Sequence, residues 1–164
     1  MQSIKFITII FLVLLLQACD SSTQTTVAHK PVAFETSDEC HVCGMIITQF
    51  NGPKGQAYDN RQKRMKKFCS TAELMFWYLQ PENKSNVSEV YVHDMAKTPW
   101  NKPDDSHLIS AKKAFFVIGS NKKGSMGKTL ASFSSRQDAI NFSDSHGGEV
   151  LAFSGLTLAL LSGQ

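Results

Sequence analysis

Phe68-Cys69-Ser70-Thr71-Ala72-Glu73-Leu74-Met75-Phe76-Trp77 aligns without gaps on Phe133-Ser134-Ser135-Arg136-Gln137-Asp138-Ala139-Ile140-Asn141-Phe142. Both segments open on Phe, place a Ser where a helix N-cap belongs, an acid three residues later, and an aromatic at the same helical offset. That is capping-box spacing ahead of an apolar helix face, in which Leu74, Trp77 and Tyr78 fall together. The flanks repeat too. A Lys-Gly turn precedes each helix (Lys54-Gly55, Lys123-Gly124) and a Glu-Val strand follows it (Glu89-Val90, Glu149-Val150). The chain therefore reads as two ββαβ units in one α+β domain.

Outward from the repeat, Gln56-Ala57-Tyr58 and Arg64-Met65-Lys66-Lys67-Phe68 read as strands around the polar turn Asp59-Asn60-Arg61. Pro81 ends the first helix, and Ser88 to Met95 alternates as a strand should. Residues 96–113, with Pro99, Trp100, Pro103 and Asp104-Asp105, form a long connection of the kind that often carries function. Ala114-Phe115-Phe116-Val117-Ile118 is a buried-type strand, residues 119–124 a turn, Gly147-Gly148 the end of the second helix, and Leu156 to Leu161 a final apolar helical turn. The first unit spans 34–95 and the second 114–164.

The densest chemistry precedes the first unit's strands, in Asp38-Glu39-Cys40-His41-Val42-Cys43-Gly44-Met45. Two thiols and a thioether are soft donors that select Cu(I), with zinc or iron–sulfur chemistry competing for the thiolates alone. Gly44 allows a tight turn that lets the sulfurs of Cys43 and Met45 share one space. A Cys-x-x-Cys pair is equally a disulfide in an oxidising compartment, and Met45 equally a core residue. A closed zinc site wants four ligands, and no second Cys-x-x-Cys supplies them. The run Met45-Ile46-Ile47-Thr48-Gln49-Phe50 reads as a strand, ended by Asn51-Gly52-Pro53.

Cys69 corresponds to Ser134 in the other unit, so a small residue suffices there and Cys69 reads as structural. Met65, Met75 and Met95 read as packing. Met126 differs, standing in a Gly-rich polar turn where packing gives no reason for methionine, and it could complete a site begun by Cys43 and Met45. His41, His93, His107 and His146 are further candidate ligands, His107 favoured by its place in the long connection. His29 reads as solvated.

The N-terminus shows an apolar run, Phe6 to Leu16, too short to span a bilayer and right for a signal-peptide core. Leu16-Gln17-Ala18-Cys19 then resembles a bacterial lipobox. On that reading residues 1–18 are a leader, Cys19 carries lipid, and 19–33 are a Ser/Thr-rich tether. Asp20 after the lipidated cysteine resembles an inner-membrane retention signal, which puts the domain on the periplasmic face. Leaving Cys19 aside, three of the four cysteines remain, an odd number in an exported protein, so one thiol must stay free, pair between chains or bind something. Charge is near balance, with 17 Lys and Arg against 14 Asp and Glu, and argues against nucleic acid. The cluster Arg61-Gln62-Lys63-Arg64-Met65-Lys66-Lys67 reads as a solvated turn and strand edge, or as a contact for anionic headgroups or an acidic partner.

Together these residues resemble the nitrous-oxide-reductase accessory lipoproteins, NosL. The resemblance is carried by the lipobox ending at Cys19, by Glu39-Cys40-His41-Val42-Cys43-Gly44-Met45-Ile46, by Phe68-Cys69-Ser70, and by Met126-Gly127 with Ala139, Phe142 and Gly147-Gly148. It implies a paired ββαβ fold related to organomercurial lyase. It also implies a non-enzymatic periplasmic copper chaperone that serves apo nitrous oxide reductase with a membrane ABC-type transporter. Cys43, Met45 and Met126 are then metal ligands, with Cys40 either a ligand or an auxiliary thiol that pairs with Cys43. Copper would be cargo, with zinc an in vitro substitute. The competing class is a thiol-disulfide oxidoreductase using Cys40 and Cys43; a strand-like run after Cys43 argues against it, because such enzymes open a helix there. Lyase-like catalysis rests on fold analogy alone.

Overall fold

The computed structural model describes residues 28–163. The apolar leader, the lipobox with Cys19, and Asp20 lie outside the described residues. No helix among those described is long and apolar enough to cross a membrane.

The first unit runs β1 (Gly55–Asp59), β2 (Arg64–Phe68), α1 (Thr71–Tyr78), a short α2 (Pro81–Lys84) and β3 (Val87–His93). After β4 (Leu108–Ser110), the second unit runs β5 (Phe115–Gly124), β6 (Gly127–Phe133), α3 (Arg136–His146) and β7 (Glu149–Ala152), and α4 (Leu158–Ser162) follows. The strand orders are β2-β1-β3-β4 and β6-β5-β7, with every pair antiparallel. In both units the first strand is central and the other two flank it. The aligned sequences thus fold into the same topology. Both helices begin where the repeat places them: the Ser70 hydroxyl accepts from Glu73 N, and the Ser135 hydroxyl from Gln137 N and Asp138 N.

The second sheet is a middle layer. Phe116 and Ile118 of β5 enter the core formed with β1, β3 and α1, whereas Val117 joins Ala131, Phe133 and Ala139 on the other side, with Phe115 and Phe142 packed against them. A strand covered on both faces loses polar alternation, which is why 114–118 is apolar without a break. Helix α1 touches both its own sheet and β6, and close approach to β1 demands Gly55. A Cβ there would lie 2.2 Å from Leu74 Cδ2.

The two units are stitched where β3 meets β6. Met95 N donates to Ser132 O (2.8 Å) and Ser132 Oγ to His93 O (2.7 Å). The buried Asp94 carboxylate accepts from the Ser134 hydroxyl (2.6 Å), from the Ser134 and Ala96 amides (both 3.3 Å), and from Lys97 (3.2 Å).

Several local expectations differ. Residues 45–50 are no strand: only Ile46 pairs, in a single bridge to Glu39. Ile47 then turns into the core and the chain tightens into a 3-10 turn, Ile47–Gln49. Pro81 ends α1 but also opens α2, where its missing N–H costs nothing. Residues 119–124 continue β5 instead of turning, because an irregularity after Ile118, with Gly119 at φ 78°, is absorbed within the ladder. The hairpin therefore reaches further and turns at Ser125-Met126. The expected tether to residue 33 is docked from His29 onward: His29 stacks on Tyr58 at 3.4 Å, and Val32 exchanges two hydrogen bonds with Gln56.

Candidate metal centre

Cys40 to Met45 form a closed turn. Gly44 N donates to Cys40 O and Cys40 N to Met45 O, both at 2.9 Å. Gly44 sits at φ 71°, a conformation that favours glycine. The turn is fastened to the outer strand β2. His41 N donates to Lys67 O (2.9 Å), Lys67 Nζ binds the Asp38 carboxylate and Ala33 O (2.7 Å), and Lys66 Nζ lies 2.9 Å from His41 Nε2. The basic cluster is thus an edge-strand feature, as expected, but Lys66 and Lys67 are occupied inside the protein. Burial, with Lys66 beside it, lowers the pKa of His41.

The turn faces the start of α1. Cys69 is fully buried immediately before the N-cap, and its Sγ stands 3.6 Å from that of Cys43. Glu73, one helical turn on, extends its carboxylate over all three thiols: Oε2 is 2.8 Å from Cys69 Sγ, 3.1 Å from Cys40 Sγ and 3.7 Å from Cys43 Sγ. The ligand atoms of Cys40, Cys43, Cys69 and Glu73 all lie within 4.8 Å of one another. All three thiols are free; Cys40 and Cys69 are buried and Cys43 is exposed. Half of the predicted capping box forms, since Glu73 N caps onto Ser70 while its carboxylate serves the thiols instead.

The cluster favours one thiolate. A hydrogen bond from Cys69, with others from backbone amides, brings the Cys40 thiol down to about 4. The same shared proton, with burial, pushes Cys69 well up. Burial raises both Cys43 and Glu73. The direction that stands is an early negative charge on Cys40, shared through Cys69. The N-terminal end of α1 supports such a charge.

The second unit reaches the same place. At the β5–β6 turn the Ser125 hydroxyl stands 3.1 Å from Cys69 O and 3.2 Å from Cys69 Sγ, able to donate to either. Its neighbour Met126 is 57% exposed and lines a cleft of about 400 Å³ with Val42, Ser70, Glu73, Phe76 and Trp77. Val42, Phe76 and Met126 are three of the four exposed large apolar residues among those described, so the apolar surface is concentrated beside the thiols.

Of the residues singled out in the sequence, Cys40 and Cys43 meet in the cluster and Met126 opens onto the same cleft. Met45 is half-buried against the first core. The candidate histidines bond or pack elsewhere: His41 with Lys66, His93 between Lys54 N and Asp105, His146 against Phe142, and His107, the one favoured by the long connection, in a 3-10 turn beside β4 whose carbonyl accepts from Asp94 N. Sequence reasoning missed Cys69 and Glu73. The odd thiol count was the available signal.

The sequence profile of the NosL family matches residues 31–161. The chain belongs to the NosL family. Among its relatives, the "Copper-binding lipoprotein NosL" of Stutzerimonas stutzeri is 53% identical over 146 residues, which cover 89% of this chain and 76% of that one. The protein of the same description from Achromobacter cycloclastes is 31% identical over 161 residues, covering 96% and 82%. Solved NosL structures match as well. The crystal structure of the copper chaperone NosL from Shewanella denitrificans gives TM-score 0.79 at 46% identity, over 80% of this chain and 98% of that one. The solution structure of apo-NosL from A. cycloclastes gives 0.50 at 31%, over 66% and 88%.

Proposed function

We propose that this chain is a membrane-anchored Cu(I) carrier on the periplasmic face of a bacterial membrane, delivering copper for maturation of nitrous oxide reductase. The observation that carries the reading is the cluster of three free thiols around Glu73, beside an open apolar cleft that Glu73 and Met126 both line, the thiols belonging to the first unit and Met126 to the second. Relatives described as copper-binding lipoproteins and as a copper chaperone support it.

Copper here is cargo. Cys43 is the exposed thiol that first meets an arriving ion, with the buried Cys40 behind it, and Met45 and Met126 are the thioethers proposed to complete the ligand set. Cu(I) accepts few, soft ligands, and such a site can release its ion by exchanging one donor at a time with an acceptor. The apolar rim suits docking of an acceptor, for which the maturation machinery, an ABC-type transporter and the apo reductase are the proposed candidates. The anchor is Cys19, and Asp20 favours the inner membrane.

An oxidoreductase reading draws on the lowered Cys40 thiol. Its geometry is unfavourable, because Cys40 is 3% exposed whereas an attacking thiolate must reach its substrate. Anaerobic Cu(I) titration of the reduced protein followed by native mass spectrometry tests the carrier reading. One copper per chain is expected, and absence of bound copper would overturn it.

A further inference from the structure

The basic stretch after β1 has an exposed part that the metal centre does not use. Lys66 and Lys67 are occupied inside the protein, but Arg61, Lys63 and Arg64 stand in water at the β1–β2 turn. The turn is held in shape. The buried Asp59 carboxylate accepts from Arg61 N (2.9 Å) and Gln62 N (3.3 Å), and Arg64 Nε donates to Gln62 Oε1 (2.9 Å). Lys63 sits at φ 51°, left-handed backbone that glycine would adopt at less cost. Asn60 N donates to Asn86 O (2.9 Å), which brings the corner between α2 and β3, with exposed Lys84, alongside. Lys112 Nζ reaches Ser88 O (2.7 Å) near the start of β3. Among the described acids of this end, Asp59 is buried between Arg61 and Lys66, which leaves Glu82 and Glu89 outnumbered.

The N-terminal segment leads to the same end. Followed backward it passes Phe34 beside His93, Val32 on Gln56 and His29 stacked on Tyr58. These partners step along the first sheet toward the turn, because Gly55 pairs with Val92, next to His93, whereas Tyr58 adjoins Asp59. The path back to Cys19 therefore leaves from the basic tip, with exposed Lys30 beside it. Cys69 follows the opposite end of β2, about 20 Å from Lys63 along an extended strand.

We propose that the β1–β2 tip, Arg61, Lys63 and Arg64 with Lys84, is a contact surface for anionic phospholipid headgroups that orients the anchored domain with its thiol cluster away from the bilayer. The inference rests on lipid attachment at Cys19. Each cation held at an anionic surface is worth about fivefold in occupancy, so three shift the balance of orientations on the order of 100-fold. The cations orient a domain that acyl chains retain. An acidic protein would answer the same charge, but the tether leaves from this tip and so keeps the bilayer nearest to it.

The test uses the full lipidated chain reconstituted into vesicles of phosphatidylcholine, with or without phosphatidylglycerol, and reads lysine acetylation by peptide mass spectrometry. Intact mass first establishes lipid at Cys19; a chain without it overturns the anchoring reading and this one together. With the lipid present, Lys63 and Lys84 should label at least about fivefold more slowly on the anionic vesicles. Lys123 and Lys128, on the hairpin that meets Cys69, should label equally on both. High salt should restore labelling at the tip without releasing the protein, as screening removes the attraction and leaves the acyl chains. Arg61→Gln with Arg64→Gln keeps Lys63 as reporter and should abolish its protection, while vesicle attachment and Cu(I) affinity persist. Should that variant not fold, the comparison of the two lipids with the unmutated chain decides. Equal labelling of Lys63 and Lys84 on both lipids, as a surface for an acidic protein would give, or protection that salt leaves in place, overturns the contact surface and leaves the anchor intact.

Discussion

Met126 places a large apolar side chain in water at the tip of a hairpin, where burial gives it no return. Its side chain lines a cleft shared with Glu73 and Ser70, so the thioether is the reason for its presence in the copper reading. Met126→Leu nearly conserves volume, and an exposed site should cost well under about 1.5 kcal/mol of stability. Cu(I) affinity measured by chelator competition should fall by about tenfold while the apo melting temperature stays put; unchanged affinity would confine the site to the first unit's cysteines. Cys40, Cys43 and Met126 were singled out from residue type and local context, and the structure brings Cys40 and Cys43 into one cluster and sets Met126 on the neighbouring cleft. Cys69 was not. Its counterpart Ser134 merely hydrogen-bonds Asp94, so the repeat made a packing role look sufficient, whereas the Cys69 thiol faces Cys43 and Glu73 at a position where the two halves chemically diverge. Glu73 was hidden by its capping role, since one acid can cap with its amide and serve a site with its carboxylate.

Among the elements, α1, α3 and the strands of the two repeat units followed from caps and periodicity, because those signals are local, whereas α2 after Pro81 and β4 inside the expected connection 96–113 did not. What failed were segments whose state depends on a partner. Met45 to Phe50 has strand composition but finds only one bridge, and the β5 extension depends on β6 to hold it past Gly119. The join between the units is equally non-local, and Asp94 is its centre. Burial alone would raise the Asp94 carboxyl, but the Ser134 hydroxyl and amide, with Lys97 and Ala96 N, hold it below the ordinary range. Asp94→Ala should cost about 3 kcal/mol in chemical denaturation, as for one lost partner of a buried charged network. The sign follows from a depressed carboxyl: its stabilisation is full above the unfolded value of about 3.9 and is lost as pH falls through the folded value. The gap between unmutated protein and Asp94→Ala should therefore narrow below about pH 4. A gap that stays constant to pH 2 would show that Asp94 acts by packing alone.

At the scale of the molecule, the docked N-terminal segment reaches β2 at Ala33, whose carbonyl accepts from Lys67 Nζ, but none of residues 28–37 lines the cleft beside the thiols. The segment is held near β1 and β3, where the Tyr91 hydroxyl donates to His29 O at 2.7 Å and Phe34 N donates to Asp105 at 2.7 Å. The cluster lies at β2 and the head of α1. An anchor at Cys19 would thus tie the domain down through a segment that does not cover the cleft. The ten residues from Cys19 to His29 span at most about 35 Å when extended, so a lipidated chain would keep the domain within about that distance of the membrane. Multiple acyl chains on one cysteine give stable attachment where a single chain would not. Cys19→Ser removes the acceptor thiol without touching the described domain. The variant should leave the membrane fraction or retain its leader, read by fractionation and intact mass, while the purified protein keeps its Cu(I) affinity. A Cys19→Ser chain that is processed normally and stays membrane-bound would exclude lipid anchoring at this residue, and the membrane association would then have to be sought in the exposed apolar rim of Val42, Phe76 and Met126.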